Sequence, residues 1–583
     1  MLPCQAARDV SMALYATAVL GLQVPEQQLE AMLAAAAAAI PSAAPQALAN
    51  TLWAVATLQY RPSEAWLALL EERCCGLLQH QQQQQASQQR GNSGASSAAF
   101  SCKGLHQLLW SMAKLQWMPE QHFLELFWAA SAAQLPHMAP HATSGILWAA
   151  ASLEVTPPAP WLQAWLATMQ QQLLHSRCND QDVSNALWAL VKLGVRPDDA
   201  WLAAAMDGSG AVLDGAGSQE LSLLLWSWAK LGVRPQQAWM QGWLQAMGQR
   251  MGSYCAPALA SSAYALALLR FRPPRAWCEQ LVGESQRQMA AFGAQELACL
   301  AWALAVLRLR PDRAWLEDFQ SQALSESGSF NGQELSLICW ALARLGHRPP
   351  VAWLAALLHD GLELQGGLAG QSLVLLVQAL ARWDLPQLKE GGKYRVLLPR
   401  YWAASQQLLP RCSLYQLSVL WWARARLGCM PGSAWGEAFW AAATPALAAA
   451  LHAAPGGVYG ATRAAAELNM HSPQLVVGAA EQHAQLAPSG VLTLQGMSLE
   501  QLSWVVWAVA RLRLGPQLPP GWLAAVLVRI SHVPVRPSGA AAAAMSRLGK
   551  SMWRLSCAEC VQPQERQLWL LTARRWSTAH GMV

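Results

Sequence analysis

Between Leu221 and Leu231 the apolar residues fall at helical spacing, with Leu221, Leu224, Leu225, Trp228 and Leu231 on one side. Gly232 follows, where a helix can close through a left-handed residue. Val233 and Arg234 lead to Pro235, which suits the first position of a second helix because its missing N–H would be unpaired there anyway. That second helix sets Trp239 and Trp243 four residues apart on one face. The stretch therefore predicts a helical hairpin. A hairpin of about 30 residues cannot bury its own apolar faces and needs neighbours.

The neighbours are in the sequence. With Trp226 as position 0, equivalent residues lie at Tyr264, Trp302, Trp340 and Gln378, each 38 residues on, and upstream at Trp188, Trp148, Trp110, Trp53 and Tyr15. Trp422, Trp507 and Trp553 continue the series. Nine residues after an anchor comes proline (Pro62, Pro119, Pro157, Pro197, Pro235, Pro273), and thirteen after comes tryptophan (Trp66, Trp161, Trp201, Trp239, Trp277, Trp315, Trp353, Trp435) or Phe123. Such periodicity predicts an all-α chain, an α-solenoid of about 12–13 helical hairpins with a 38-residue repeat. The chain reads as N-terminal repeats over 1–79, a disordered Gln/Ser-rich insertion over 80–97 and a regular array over 98–387. Degenerate repeats with an Ala/Gly-rich insertion follow over 388–530, then a partial repeat and basic tail over 531–583. The glycine cluster at 208–217 reads as an inter-repeat loop.

On the first helix, positions −5, −2, −1, +2 and +5 are mostly Leu, Val, Ile or Ala and form the expected core, while small residues at −4 and +3 admit a neighbouring helix. Positions −3, +1 and +4 are left as the expected surface stripe. Position +4 holds Lys114, Lys192, Lys230, Arg344, Arg382, Arg426 and Arg511, interrupted by Thr57, Ser152, Leu268 and Val306, a basic row suited either to phosphates or to the negative end of the helix dipole. Position −3 varies in size and chemistry, and its polar members Asn50, Gln107, Asn185 and Ser261 are candidate base-reading residues. Both tryptophan columns are expected to be packing between repeats. Arg61, Arg196, Arg234, Arg272, Arg310 and Arg348, just before the turn proline, are expected at carbonyls of the first helix's end, with phosphate contact as the alternative.

Composition narrows the function. Hydrophobic residues make up 54% and charged residues 13%, as stacked helices need, and the net charge of +6 permits a nucleic-acid partner without demanding one. Thirteen cysteines lack a disulfide framework, and the lone pair Cys557 and Cys560 lacks further ligands, so no metal, cofactor or redox site is expected. No apolar run reaches the length of a membrane span. No secretory signal or clear transit peptide is read at the N-terminus. Without a catalytic constellation, the chain is expected not to be an enzyme. It reads as a binder of single-stranded RNA, with a protein-binding scaffold as the alternative.

The units ALWALVKLGVRPDDAWLAAAM (186–206) and LLWSWAKLGVRPQQAWMQGWL (224–244) resemble octotricopeptide repeats, helical hairpins of green-algal organelle proteins. The resemblance runs over about residues 8–530. It implies sequence-selective binding of organellar transcripts and control of their stability, processing or translation, in the chloroplast or alternatively the mitochondrion, with protein partners in an RNA-processing complex. No C-terminal RAP-type module accompanies the repeats.

Overall fold

The computed structural model describes residues 3–88, 99–363, 370–383 and 397–413, with scattered positions between 416 and 442. Every described element is a helix. The chain divides into two compact units, Met1–Phe292 with Val306–Phe319, and Gly293–Ala305 with Gln320–Val583.

In the first unit the helices alternate between two layers. The odd-numbered helices carry the anchors: α1 (Pro3–Val19), α3 (Pro45–Thr57), α5 (Cys102–Lys114), α7 (Pro140–Ser152), α9 (Asp180–Lys192), α11 (Ser218–Lys230) and α13 (Ala256–Leu268). Each packs on the next in series. The second layer holds α2 (Glu26–Ala39), α4 (Glu64–Gln88), α6 (Gln121–Ala132), α8 (Ala159–Leu174), α10 (Asp199–Val212), α12 (Gln237–Arg250) and α14 (Arg275–Arg287). The second unit repeats the pattern with α17 (Gly332–Leu345), α18 (Val351–Glu363), α19 (Gly370–Trp383) and α20 (Leu397–Leu408), where α17 packs on α19. The helices α15 (Ala294–Leu307) and α16 (Arg313–Ser325) lie between them in the chain. This is the α-solenoid that the period predicts.

Local chemistry sets the helix ends. Asn179 and Asn331 close capping boxes with Asp182 and Glu334, and Ser101 and Asp198 accept from backbone N–H groups of their first turns. Six residues after the anchor the backbone turns left-handed in repeat after repeat, at Gly21, Gln59, Gln116, Glu154, Gly194, Gly232, Arg270, Arg308 and Gly346. The next residue's N–H then returns to the carbonyl at position +2, as Val233 does to Trp228 and Phe271 to Leu266. This closure fixes the angle between the two helices of each hairpin.

The core columns −5, −2, −1 and +2 are buried throughout the regular repeats. The second tryptophan column is buried too, and, Trp277 apart, its indole N–H groups find partners one repeat back. Trp161 donates to Ser131 Oγ (2.9 Å), Trp239 to Ser209 Oγ (3.0 Å), Trp315 to Ser285 Oγ (3.0 Å) and Trp435 to Ser405 Oγ (2.8 Å). These four serines are themselves fully buried, so each pair satisfies a donor and an acceptor inside the core.

Three expectations are corrected. The segment 80–97 is not disordered from its start, because α4 continues to Gln88, and Gln81 is buried with its Oε1 accepting from Phe100 N at 2.9 Å. Glutamine sustains a helix well, and no glycine or proline interrupts the run before Gly91. The first half of the glycine cluster is helix: Gly208 and Gly210 lie inside α10, where a Cβ would come within 3.0 Å of Leu173 and 3.2 Å of Trp239, so they allow close packing. Arg196 bonds not to its own helix end but to the carbonyl of Leu231 in the following repeat, at 2.8 Å.

Candidate nucleic-acid interface

A helix turns about 100° per residue, so relative to the anchor position −7 lies about 20° round, +4 about 40°, −3 about 60° and +1 about 100°. Exposure follows this order. Residues at −7 are exposed in every described repeat, and every described anchor from Tyr15 to Gln378 is half-exposed. From the second repeat on, position +1 is buried, with Ala54, Ser111, Ala149, Ala189 and Ser227 at zero exposure, which overturns its place in the surface stripe. A small residue is needed there because the neighbouring odd helix approaches on that side.

The anchor tryptophans are therefore not core. In the first unit Tyr15 and Trp53 have ring centres 5.0 Å apart, and Trp148 and Trp188 6.2 Å. The rings form a ladder along the odd helices. The +4 cations lie on it: Lys114 over Trp110 and Trp148, Lys192 over Trp188 at 5.8 Å, and Lys230 over Trp226 and Tyr264. In the second unit Arg344 covers Trp340 at 5.2 Å, and the Trp340 indole donates to Gln378 Oε1 at 3.1 Å. Ring faces attract cations through their quadrupole, so ladder and basic row hold each other in place. Arg382 is exposed at its +4 position. Arg426 and Arg511 lie outside the described residues, as do Trp507, Trp553, Cys557 and Cys560.

No Asp or Glu occupies −7, −3, 0 or +4 in any described repeat. The nearby acids are turned away at −6, where Asp182 and Glu334 return to the backbone N–H groups of Asn179 and Asn331. The stripe in each unit is thus half-exposed aromatic surface, amides and cations, interspersed with aliphatic residues such as Leu223, Leu268 and Leu337, and it carries no negative charge.

The −3 residues are placed unevenly. Asn50, Asn185 and Ser261 are half-exposed, and Asn50 Oδ1 accepts from Gln46 Nε2 at 2.8 Å. Gln107 is only 3% exposed, with its Oε1 unpaired, so it does not share that surface. In the next repeat −3 is Gly145, and a Cβ there would collide with the His106 imidazole. His106 is buried, its Nε2 unpaired, and stands edge-on to His141 at 4.8 Å. His141 Nδ1 is 3.9 Å from Asp182 Oδ1, which also accepts from Ser144 Oγ at 3.2 Å. Burial, reinforced by His141, lowers the His106 pKa to about 3. Burial also raises the Asp182 carboxyl above its ordinary range, outweighing the N–H of Asn179 and His141.

Residues 92–329 match the family model for the C-terminal domain of the Tbc2 translation factor. That is less than half of the chain, but it holds the anchors from Trp110 to Tyr264 in the first unit and Trp302 in the second. No curated protein sequence matches. Among solved structures the chain is similar to a homology model of the full-length AP-3 complex in an intermediate open conformation, at 11% identity over 94% of this chain and 90% of that one. The TM-score is 0.31, too loose a superposition to bear on function. Among the described residues no three His, Cys, Asp or Glu side chains gather as metal ligands, and no helix is long and apolar enough to cross a membrane.

Proposed function

We propose that this chain binds single-stranded RNA along its odd-helix face and acts after transcription, in the translation, stability or processing of organellar messages. The observation that carries this reading is the acid-free stripe of half-exposed rings, several of which lie under a Lys or Arg. Unpaired bases stack on aromatic faces, phosphates pair with Lys and Arg, and a duplex offers no free base faces to such a ladder. The likeness of residues 92–329 to a translation factor domain supports the biological setting, and the octotricopeptide resemblance supports an organelle, chloroplast before mitochondrion.

The test is binding of the purified full chain to single-stranded and to duplex RNA of the same length and salt. The single strand is expected to bind at least tenfold more tightly, with affinity falling steeply as salt rises. Equal binding of both, or capture of a protein partner with no RNA binding, sinks the proposal; the latter leaves a protein-binding scaffold.

A further inference from the structure

Position −7 holds glutamine in most repeats: Gln46, Gln181 and Gln219 in the first unit, Gln295, Gln333 and Gln371 in the second. All six are exposed. This is the second residue of each odd helix, where the dipole favours acids, yet no acid occurs there in any described repeat. Helix stability alone does not account for a neutral amide at so many such sites.

Side-chain direction supplies the reason. Long side chains on a helix lean toward its N-terminus and cover the turn before their own Cα. The +4 cations do this, reaching back over the anchor rings. The same direction carries the rings over the turn that holds −3, and from Asn50 to Leu375 every −3 residue is half-exposed or buried. Position −7 is the next turn, about 10 Å from the anchor along the helix axis and nearly on the same line. It is the first uncovered position at the ring's leading edge. A base stacked on the ring would present its edge there. In one repeat the amide is already oriented, since Gln46 Nε2 donates to Asn50 Oδ1 at 2.8 Å, which leaves its Oε1 and second N–H free.

We propose that the −7 glutamines contact base edges and that the preferred strand is rich in adenine. A carboxamide matches adenine with two bonds, accepting from N6–H and donating to N7, an edge that stacking leaves open. The same residue in successive repeats, Gln181 and Gln219 or Gln295, Gln333 and Gln371, then calls for the same base in succession. Pro257 offers no polar group, so its repeat is expected to tolerate any base. The inference rests on the RNA-binding reading above.

The experiment is selection of preferred RNA from a random pool by the full chain, for the parent and for Gln219→Ala and Gln219→Glu, with thermal midpoints as a check on folding. Runs of adenine are expected for the parent. Gln219→Ala should erase an adenine preference of about ten- to hundredfold at one nucleotide. Gln219→Glu should turn that nucleotide toward cytosine, whose N4–H₂ donates to a carboxylate. A parent that binds single strands tightly without favouring adenine overturns the assignment while RNA binding stands. So does a consensus unchanged in both variants. A parent that binds no RNA overturns both readings.

Discussion

Lys114 Nζ lies 5.5 Å from the centre of the Trp110 ring and 5.3 Å from that of Trp148, so one cation covers two successive rungs. Lys230 does the same for Trp226 and Tyr264, at 5.7 and 5.2 Å. The basic row is thereby held on the surface where a strand would lie, and not in free solution.

Replacing Lys114, Lys192 and Lys230 together with Ala should weaken binding of all RNA sequences alike. The slope of log affinity against log salt should become shallower by about 0.7 per lost phosphate contact. Stability should fall by no more than about 1 kcal/mol for each cation–ring contact removed. An unchanged slope would place the phosphates elsewhere.

The two tryptophan columns should respond in opposite ways. Trp315→Ala removes a fully buried ring and should cost about 3–5 kcal/mol of stability. Trp226→Ala removes a half-exposed ring and should cost about 1–2 kcal/mol of stability. It should also lower RNA affinity by about 1–3 kcal/mol, the contribution of one stacked base. Chemical denaturation and RNA titration of both variants separate the roles.

Ser209→Ala leaves the Trp239 indole N–H buried without its acceptor and should cost about 1–3 kcal/mol. In a double-mutant cycle with Trp239→Phe the two losses should not add, because the second change removes the stranded donor.

Backbone conformation makes a paired prediction. Gly232→Ala puts a side chain at a left-handed φ of 70° and should destabilise by about 1–2 kcal/mol. Arg270→Gly, at the equivalent place with φ 51°, should be neutral or gain up to about 1 kcal/mol, since relief of strain is offset by a more flexible unfolded chain.

His106 makes folding sensitive to acid. Above its ordinary pKa of 6.5 the imidazole is neutral in both states and costs nothing. As pH falls from 6.5 toward 3, the unfolded chain takes up a proton that the folded chain refuses, so stability is lost, on the order of 2 kcal/mol by pH 5. His106→Leu should flatten that part of the stability–pH curve; the same slope in the variant would assign it to other groups.

Much of this was legible in the residues. The period, the hairpin and the buried columns follow from spacing alone, and so does the basic row. The exposure of the anchors was obscured by their chemistry, because a recurring Trp reads as core. Geometry says otherwise: the five apolar columns centre near about 200° around the helix, which sets Trp226 and its equivalents almost opposite the core. The buried serine–tryptophan pairs also left a trace, a serine 30 residues before the tryptophan, as in Ser131 with Trp161 and Ser285 with Trp315. His106 filling the space over Gly145 left none, since it depends on two helices meeting.

Phe100 is clamped on both sides of its peptide: its N–H reaches Gln81 Oε1, and its carbonyl accepts from Gln134 Nε2 at 2.8 Å. The chain that leaves α4 is thus brought back to a fixed point at Phe100. Closing a longer excursion is cheap, about 0.6 kcal/mol for each doubling. An array built this way can acquire inserted sequence at that point without disturbing the stacking of the repeats on either side, so a new surface can be added in evolution while the old array is kept.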